Sequence, residues 1–230
     1  MKSVNANLSL TELKSEGLRL WQPVKGYRFS IDALLLADFV QIRKRDASLL
    51  ELGAGCGVIS LILAKRHSDI KVSGMELQEI LYACAAQNVI DNGMSHRVEI
   101  RLADFSRVEE YVLPESFDYV ISNPPYRRPE TGRICLDSCD ALARHEILMD
   151  FNGLCRAAAY VLCTGGRFWF IYPAALTAKA IVSCRLYGLE PKRIRFVHSH
   201  SDRPARLLLL EACKGCGEEL GVEPPIFLQG

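Results

Sequence analysis

Glycines and an acid near residue 50 have the types and spacing of a ligand-binding turn. The segment ELGAGCG contains Glu51, Gly53, Gly55 and Gly57 where a short apolar run meets a helical pattern. Glycines at such a junction let the backbone turn tightly and approach a ligand closely. Their G-x-G-x-G spacing differs from the G-x-G-x-x-G of nicotinamide enzymes, and no Gly-Lys-Ser/Thr follows to make a phosphate-binding loop. Glu51 suits a ligand that carries an amino group.

Further acids lie at the carboxyl ends of the next two predicted strands. Glu76 ends the second strand, nineteen residues after Gly57, where a carboxylate accepts hydrogen bonds from ribose hydroxyls. Leu77 comes directly after it and is grouped with it as a ligand contact. Asp104 follows the third strand and can accept a hydrogen bond from an adenine amino group. With the glycine turn, these residues predict a site for an adenosine that bears an amino acid.

The tetrapeptide NPPY, Asn123 to Tyr126, follows the fourth predicted strand. Pro124 and Pro125 fix the backbone, stop the strand and remove two N–H donors. Nearby carbonyl groups and the Asn123 amide can therefore be directed at a ligand, and Tyr126 offers a flat face on which a base can stack. A proline turn without function is the alternative, but the position beside the glycine turn favours a catalytic role.

The elements that position these motifs alternate between short strands and helices. The predicted strands are 48–53, 70–76, 97–102, 117–122, 167–172, 192–198 and 205–212, and the predicted helices are 57–66, 77–92, 144–163 and 174–187. Such alternation indicates an α/β protein with a parallel sheet and helices on both faces. No helix separates the last two strands, so they should pair antiparallel. We expect a seven-stranded, mostly parallel sheet with an antiparallel final strand.

The chain divides into one predicted domain with two extensions. An α/β domain is expected at 47–214, after a cap segment at 1–46 and before an irregular tail at 215–230. The first residues lack the apolar core of a signal peptide, and no run of about 18 apolar residues predicts a membrane span. We therefore expect a cytoplasmic protein.

The charge distribution and the cysteine content further restrict the partners and metal sites that the sequence allows. The net charge is +1, but 185–214 carries seven basic and three acidic side chains, which predicts a basic face if it meets the basic N-terminal segment. Nine cysteines, an odd number without a secretory signal, favour reduced thiols. Cys213 and Cys216 have the spacing of metal ligands but lack a suitable second pair, so no metal is expected.

The glycine turn and NPPY together resemble the class I, S-adenosylmethionine-dependent methyltransferases that carry the NPPY signature and methylate planar amino or amide nitrogens. The segment QPVKGYRFSIDALLLADFV (22–40) is similar to the N-terminal segment of the tRNA1(Val) adenine-37 N6-methyltransferase family. The segments ARHE (143–146), RFWFIYP (167–173) and the run at 195–215 are similar to that family as well. The resemblance implies a Rossmann-like class I methyltransferase fold, S-adenosylmethionine as cofactor, and N6 methylation of adenine in RNA, with tRNA favoured.

The resemblance and the residue chemistry together assign candidate roles. Catalysis is expected from Asn123, Pro124, Pro125 and Tyr126, and Asn123 is also expected to contact the cofactor. The segment 25–32 resembles a cofactor lid, which extends the cofactor-binding set to Tyr27, Arg28, Asp32, Glu51, Gly53, Gly55, Gly57, Glu76, Leu77 and Asp104. RNA is expected to contact arginines at the mouth of the site and on the final hairpin: Arg127, Arg128, Arg193, Arg195 and Arg203.

Three alternatives stay open. Protein glutamine N5-methyltransferases share the signature but carry a helical domain before the catalytic fold, whereas residues 1–46 alone precede the first predicted strand here. DNA adenine methyltransferases read duplex sequence with an extra recognition domain, which this sequence does not lead us to expect. A non-catalytic module that binds cofactor and pairs with an RNA-binding subunit would not require intact Asn123 and Tyr126.

Overall fold

The computed structural model describes residues 8–26, 28–124 and 151–229. Its strands are β1 (Leu8–Leu13), β2 (Leu18–Pro23), β3 (Ser48–Leu52), β4 (Lys71–Glu76), β5 (Val98–Leu102), β6 (Phe117–Ser122), β7 (Leu162–Pro173), β8 (Leu189–His198), β9 (Ala205–Lys214), β10 (Gly221–Val222) and β11 (Ile226–Phe227). Its helices are α1 (Ile31–Phe39), α2 (Val58–Arg66), α3 (Glu79–Asp91), α4 (Phe151–Val161) and α5 (Thr177–Leu186), with 3-10 turns at Phe105–Glu110 and Ala174–Leu176.

The main strands form one sheet in the order β8-β9-β7-β6-β3-β4-β5. Neighbours are parallel except at β9, which runs antiparallel to both β7 and β8. The predicted fold, with one antiparallel strand at the end of the domain, is confirmed. Because β3, β4 and β6 are parallel, the residues that follow Leu52, Glu76 and Ser122 all lie at one edge of the sheet.

The sheet separates two hydrophobic cores. Leu49 of β3 and Trp169 of β7 pack on the side of α1, α2 and α3, whereas Leu50 and Phe168 pack on the side of α4 and α5. All four side chains are buried. A strand covered on both faces carries apolar residues in both directions, which is why 48–52 and 167–172 are nearly continuous apolar runs.

An N-terminal hairpin, formed by β1 and β2, is absent from the sequence prediction. Leu18, Leu20 and Gln22 are buried and alternate with more exposed residues along β2. Gly17, with φ of 59°, lies in the turn that joins the strands. This period-two alternation is a strand signal, but six residues of it are too few to stand out beside the stronger helical pattern that follows. The boundaries of the predicted cap segment stay a prediction.

The tail that was predicted to be irregular contains two strands of two residues each, which the prediction missed. The short strands β10 and β11 both pair in parallel with β8, so the tail covers the outer edge of the sheet. Cys213 and Cys216 lie close together, with Cα atoms 5.5 Å apart, and the expectation of reduced thiols stays a prediction. Across the described ranges, no helix is long and apolar enough to cross a membrane.

Candidate active site

The glycine turn joins β3 to α2 through left-handed residues. Gly53, Gly55 and Gly57 have φ values of 76°, 56° and 77°, a region that glycine adopts without steric cost. A Cβ on Gly57 would also lie 3.3 Å from the Cβ of Ala85 in α3. A side chain at Gly57 would therefore strain the backbone and press on α3.

Glu76 holds this turn from the end of β4. Its Oε2 accepts the Gly55 N–H at 2.7 Å, and its Oε1 accepts the Gln78 N–H at 2.8 Å. The residue is only 6% exposed. Since a carboxylate can accept more than two hydrogen bonds, this placement is compatible with the predicted ribose contact, which stays a prediction.

Glu51 lies in β3, directly beneath the turn, and is buried. Its Oε2 accepts both the backbone N–H of Ser60, at 2.9 Å, and the Ser60 hydroxyl, at 2.5 Å. Burial raises the pKa of Glu51 to about 8, against the two hydrogen bonds from Ser60, which lower the pKa. Near pH 7 this carboxyl group is mainly protonated, and a neighbouring cation would favour its ionised form.

Leu77 and Asp104 continue the same edge of the sheet. Leu77 follows Glu76 and is 45% exposed. Asp104 comes two residues after β5, whose Leu102 pairs with Glu76. The Asp104 carboxylate accepts the Ser106 N–H at 2.8 Å and so caps the 3-10 turn that follows. The structure thus brings the predicted ribose and adenine contacts to adjacent strand ends.

A cleft at this edge joins the glycine turn to the NPPY motif. Three of the predicted residues line it, Glu51, Gly53 and Asn123, and Phe29 of the predicted lid segment lines it as well. The other lining residues, which sequence reasoning missed, are Ala33, Ala54, Cys56, Val58 and Ile59. These five are small or apolar and carry no chemical signal of their own. Their proximity in sequence to the glycine turn and the lid is the clue that could have identified them.

Arg28 of the lid segment turns toward the N-terminal hairpin. Its Nη1 donates to the Ser9 hydroxyl at 2.7 Å and to the Pro23 carbonyl at 3.2 Å. Asp32 lies in the first turn of α1, where the Ser30 hydroxyl accepts its N–H at 3.3 Å. The predicted cofactor contacts of Arg28 and Asp32 stay predictions.

Several predicted site residues lie outside the described residues. These are Tyr27, Pro125, Tyr126, Arg127 and Arg128. Pro124 is described and is buried. Within the described ranges, no group of three or more His, Cys, Asp or Glu side chains is arranged to hold a metal ion.

The arginines of the final hairpin differ in their surroundings. Arg193 forms ion pairs with Glu211, at 3.4 Å, and Glu223, at 3.1 Å, and its side chain is only 14% exposed. Its guanidinium group also lies 4.3 Å from the centre of the Phe39 ring and donates to the Phe39 carbonyl. These contacts to the protein interior leave Arg193 less available to RNA than its exposed neighbours, and its RNA contact stays a prediction.

Arg195 and Arg203 are more accessible. Arg195 shares Glu223 with the preceding arginine at a longer distance, 3.9 Å, and donates to the Pro224 carbonyl at 2.8 Å. Arg203 is exposed in the loop between β8 and β9, where its carbonyl bonds the His198 Nδ1 at 2.8 Å. This loop lies at the same edge of the sheet as the cleft, since β7 ends where β9 begins.

A mostly parallel sheet, a glycine turn after its central strand and a cleft at its carboxyl edge define a Rossmann-like class I methyltransferase. A solved structure described as a predicted O-methyltransferase, from Agrobacterium tumefaciens, shares the fold with a TM-score of 0.68 and 26% identity. The match covers 85% of this chain and 86% of that one.

The chain belongs to the methyltransferase small domain family, whose model matches residues 30–190. A tRNA1(Val) (adenine(37)-N6)-methyltransferase from Pedobacter heparinus is 30% identical over 182 residues, which cover 77% of this chain and 73% of that protein. The protein of the same description from Phocaeicola vulgatus is also 30% identical and covers 77% of this chain and 74% of its own length. The predicted S-adenosylmethionine-dependent methyltransferase is thereby confirmed.

Proposed function

We propose that this methyltransferase transfers the methyl group of S-adenosylmethionine to the exocyclic N6 of adenine in tRNA, and that it acts in the cytoplasm. The observation that carries the proposal is that Asn123 lines the same cleft as Glu51 and Gly53. An acceptor for the hydrogens of an amino group thus lies beside the turn that suits the cofactor. The description shared by the two relatives names the same reaction.

The residues around the cleft fit S-adenosylmethionine at both of its ends. The glycines of the turn carry no side chain that would keep a ligand from their backbone, and Glu51 lies beneath the turn as an acid for the amino group of the methionine part. Glu76, Leu77 and Asp104 lie along the sheet edge, where they suit the ribose and the adenine. When bound, this cofactor supplies a methyl group activated by a sulfonium sulfur.

Asn123 and Pro124 make the target nitrogen more nucleophilic. The amino nitrogen of adenine is a poor nucleophile because its lone pair is conjugated with the ring. The Asn123 Oδ1 and the Pro124 carbonyl accept the two amino hydrogens and favour a pyramidal nitrogen. A strong general base is unnecessary, since the extra proton is acidic once the nitrogen is methylated. Catalysis then comes from positioning and from electrostatic support of the shifting charge.

The loop between β8 and β9 is the proposed contact for the tRNA backbone. Arg203 is exposed there, at the edge of the sheet that holds the cleft. In the described part of the chain Arg203 forms no salt bridge, so its charge is available to a phosphate. Arg195 is a weaker candidate because of its contact with Glu223. Arg127 and Arg128 follow the NPPY motif in sequence and stay predicted contacts.

Labelled S-adenosylmethionine tests the proposal directly. The protein is incubated with separate pools of tRNA, rRNA, duplex DNA and protein, all taken from cells that lack this methyltransferase. Label is expected in tRNA, at the N6 of an unpaired adenine, because a base outside a duplex costs less to extrude. Label confined to a protein glutamine would instead support the glutamine N5-methyltransferase alternative.

Cofactor binding is expected to release a proton from Glu51. At pH 7 a carboxyl group with a pKa of about 8 is mainly protonated. A cationic amino group beside it lowers that pKa, so up to about one proton leaves on binding. Calorimetry of S-adenosylhomocysteine binding in buffers of different ionisation enthalpy measures this release. The release should vanish in Glu51→Gln, and also in the wild type well above pH 8, where Glu51 is already ionised. A buffer-independent heat at pH 7 contradicts the assignment.

Replacing Arg203 by glutamine is expected to weaken tRNA binding and to flatten its dependence on salt. Each phosphate contact on a single strand contributes about 0.7 to the slope of log affinity against log salt, so the slope should fall by about that amount. Lys71→Gln is the matched control. Lys71 is exposed at the start of β4, at the opposite edge of the sheet. Equal slopes for the two variants would exclude Arg203 as a phosphate contact.

A further inference from the structure

Two asparagines in and just after α3, Asn88 and Asn92, act as strand partners for the N-terminal hairpin. Asn92 accepts the Arg19 N–H at 3.0 Å and donates to the Arg19 carbonyl at 2.8 Å. Asn88 repeats this pattern two residues along β2, where it accepts the Trp21 N–H at 2.6 Å and donates to the Trp21 carbonyl at 3.0 Å. A side-chain amide carries a donor and an acceptor side by side, so it can pair with the outer edge of a strand.

Asn88 also reaches the glycine turn. Its Nδ2 donates to the Cys56 carbonyl at 3.0 Å, and the residue is fully buried. The N–H of the same peptide group, that of Gly57, donates to the Ala54 carbonyl at 2.8 Å. Both polar groups of the peptide between Cys56 and Gly57 are therefore held, and the carbonyl is held by Asn88.

The strand that Asn88 binds also holds a lid residue that lines the cleft. Gln22, the neighbour of Trp21, is buried, and its Oε1 accepts the Phe29 N–H at 3.0 Å. Its Nε2 donates to the Thr11 hydroxyl at 3.0 Å, so its orientation is fixed. Phe29 lines the cleft. A continuous path thus leads from Phe29 through Gln22 and Trp21 to Asn88 and the glycine turn.

We propose that Asn88 is a positioning residue for cofactor binding, because it joins the glycine turn to the hairpin that carries the lid. With Asn88 in place, the glycine turn and the lid residue keep a fixed separation before the cofactor arrives. Burying a polar amide is unfavourable unless it is hydrogen-bonded, and α3 itself would be better served by alanine at this position. The inference rests on the proposed function, since it takes this cleft as the cofactor site.

Asn88→Ala and Asn92→Ala form a matched pair that tests the inference. Each variant removes one side-chain amide that binds β2, so both are expected to lower the melting temperature. Asn88→Ala alone should also raise the Kd for S-adenosylhomocysteine and the KM for S-adenosylmethionine, by about tenfold for loss of a buried hydrogen bond and its effect on the turn. The kcat at saturating cofactor should change little, because Asn88 touches no reacting atom. Asn88→Ser, which keeps a small donor, serves if the alanine variant does not fold.

The outcomes separate this inference from the proposed function. A wild-type protein that binds no S-adenosylhomocysteine overturns both. A wild-type protein that binds it, with Asn88→Ala and Asn92→Ala equal in cofactor affinity, overturns the positioning role alone. A loss that falls on kcat and leaves KM unchanged overturns it as well.

Hydrogen exchange on the wild-type protein tests the positioning role of Asn88 without any variant. Cofactor binding in the cleft should slow exchange at the Trp21 amide, which donates to Asn88, more than at the Arg19 amide, which donates to Asn92. Equal protection of the two amides would show that the hairpin is not coupled to the cleft through Asn88.

Discussion

Replacing Asn123 by alanine is expected to lower kcat for methyl transfer by at least about a hundredfold, or ~2.7 kcal/mol of barrier. The variant loses the side-chain oxygen that accepts an amino hydrogen, an interaction that strengthens only as the nitrogen becomes pyramidal. Binding of S-adenosylhomocysteine should change much less than kcat, because the variant loses one predicted cofactor contact and keeps the glycine turn and the acids that suit the cofactor. Single-turnover rates with unmodified tRNA, at saturating cofactor, measure the effect.

Two further variants serve as controls for the Asn123→Ala measurement. Asn123→Asp keeps an acceptor at the same distance from the backbone and should lose less activity than Asn123→Ala. Ser122→Ala removes a buried hydrogen bond from the Ser122 hydroxyl to the Leu52 carbonyl, 2.7 Å long, and should lower stability by about 1 kcal/mol with kcat nearly unchanged. Full activity in Asn123→Ala would refute the proposed activation of the amino group.

The parts of the site that the sequence predicted are those with a local physical cause. The glycine turn requires left-handed backbone at Gly53, Gly55 and Gly57, and glycine is the residue that adopts it at no cost. Glu76 ends one predicted parallel strand and Asp104 follows the next, and the carboxyl ends of such strands meet at one edge. The order of strands and helices along the chain was therefore sufficient to predict that the glycine turn and the two acids lie at one edge of the sheet.

The parts that were missed depend on partners distant in sequence. Arg193 has the sequence spacing of an exposed basic side chain. In the structure it forms ion pairs with Glu211 of β9 and with Glu223 of the tail that pairs with β8. The pairing of Asn88 with Trp21 joins residues 67 positions apart. Neither contact follows from periodicity or residue type, because both depend on how separate elements pack.

Replacing Glu76 by alanine is expected to raise the Kd for S-adenosylhomocysteine by at least about a hundredfold, or ~2.7 kcal/mol. A hydrogen bond to a charged acceptor contributes about 1.5–3 kcal/mol, and the variant also removes the acceptor for the Gly55 N–H in the turn. Calorimetry measures the affinity. Glu79→Gln is the matched control, since Glu79 is exposed three residues further along and carries the same charge. Equal affinities of the two variants would contradict the cofactor role of Glu76.

A 2′-deoxyribose analogue of S-adenosylhomocysteine separates the two roles of Glu76. If the carboxylate accepts a hydrogen bond from the ribose, the wild-type protein should bind the natural ligand more tightly than the analogue, and Glu76→Ala should bind the two alike. If Glu76 only holds the glycine turn, the variant loses affinity for both ligands by the same factor, and the wild-type preference between them persists. The coupling free energy between the residue and the hydroxyl is RT times the logarithm of the wild-type affinity ratio divided by the variant's affinity ratio. A coupling near zero would assign Glu76 to the turn alone and leave the ribose to another acceptor at this edge.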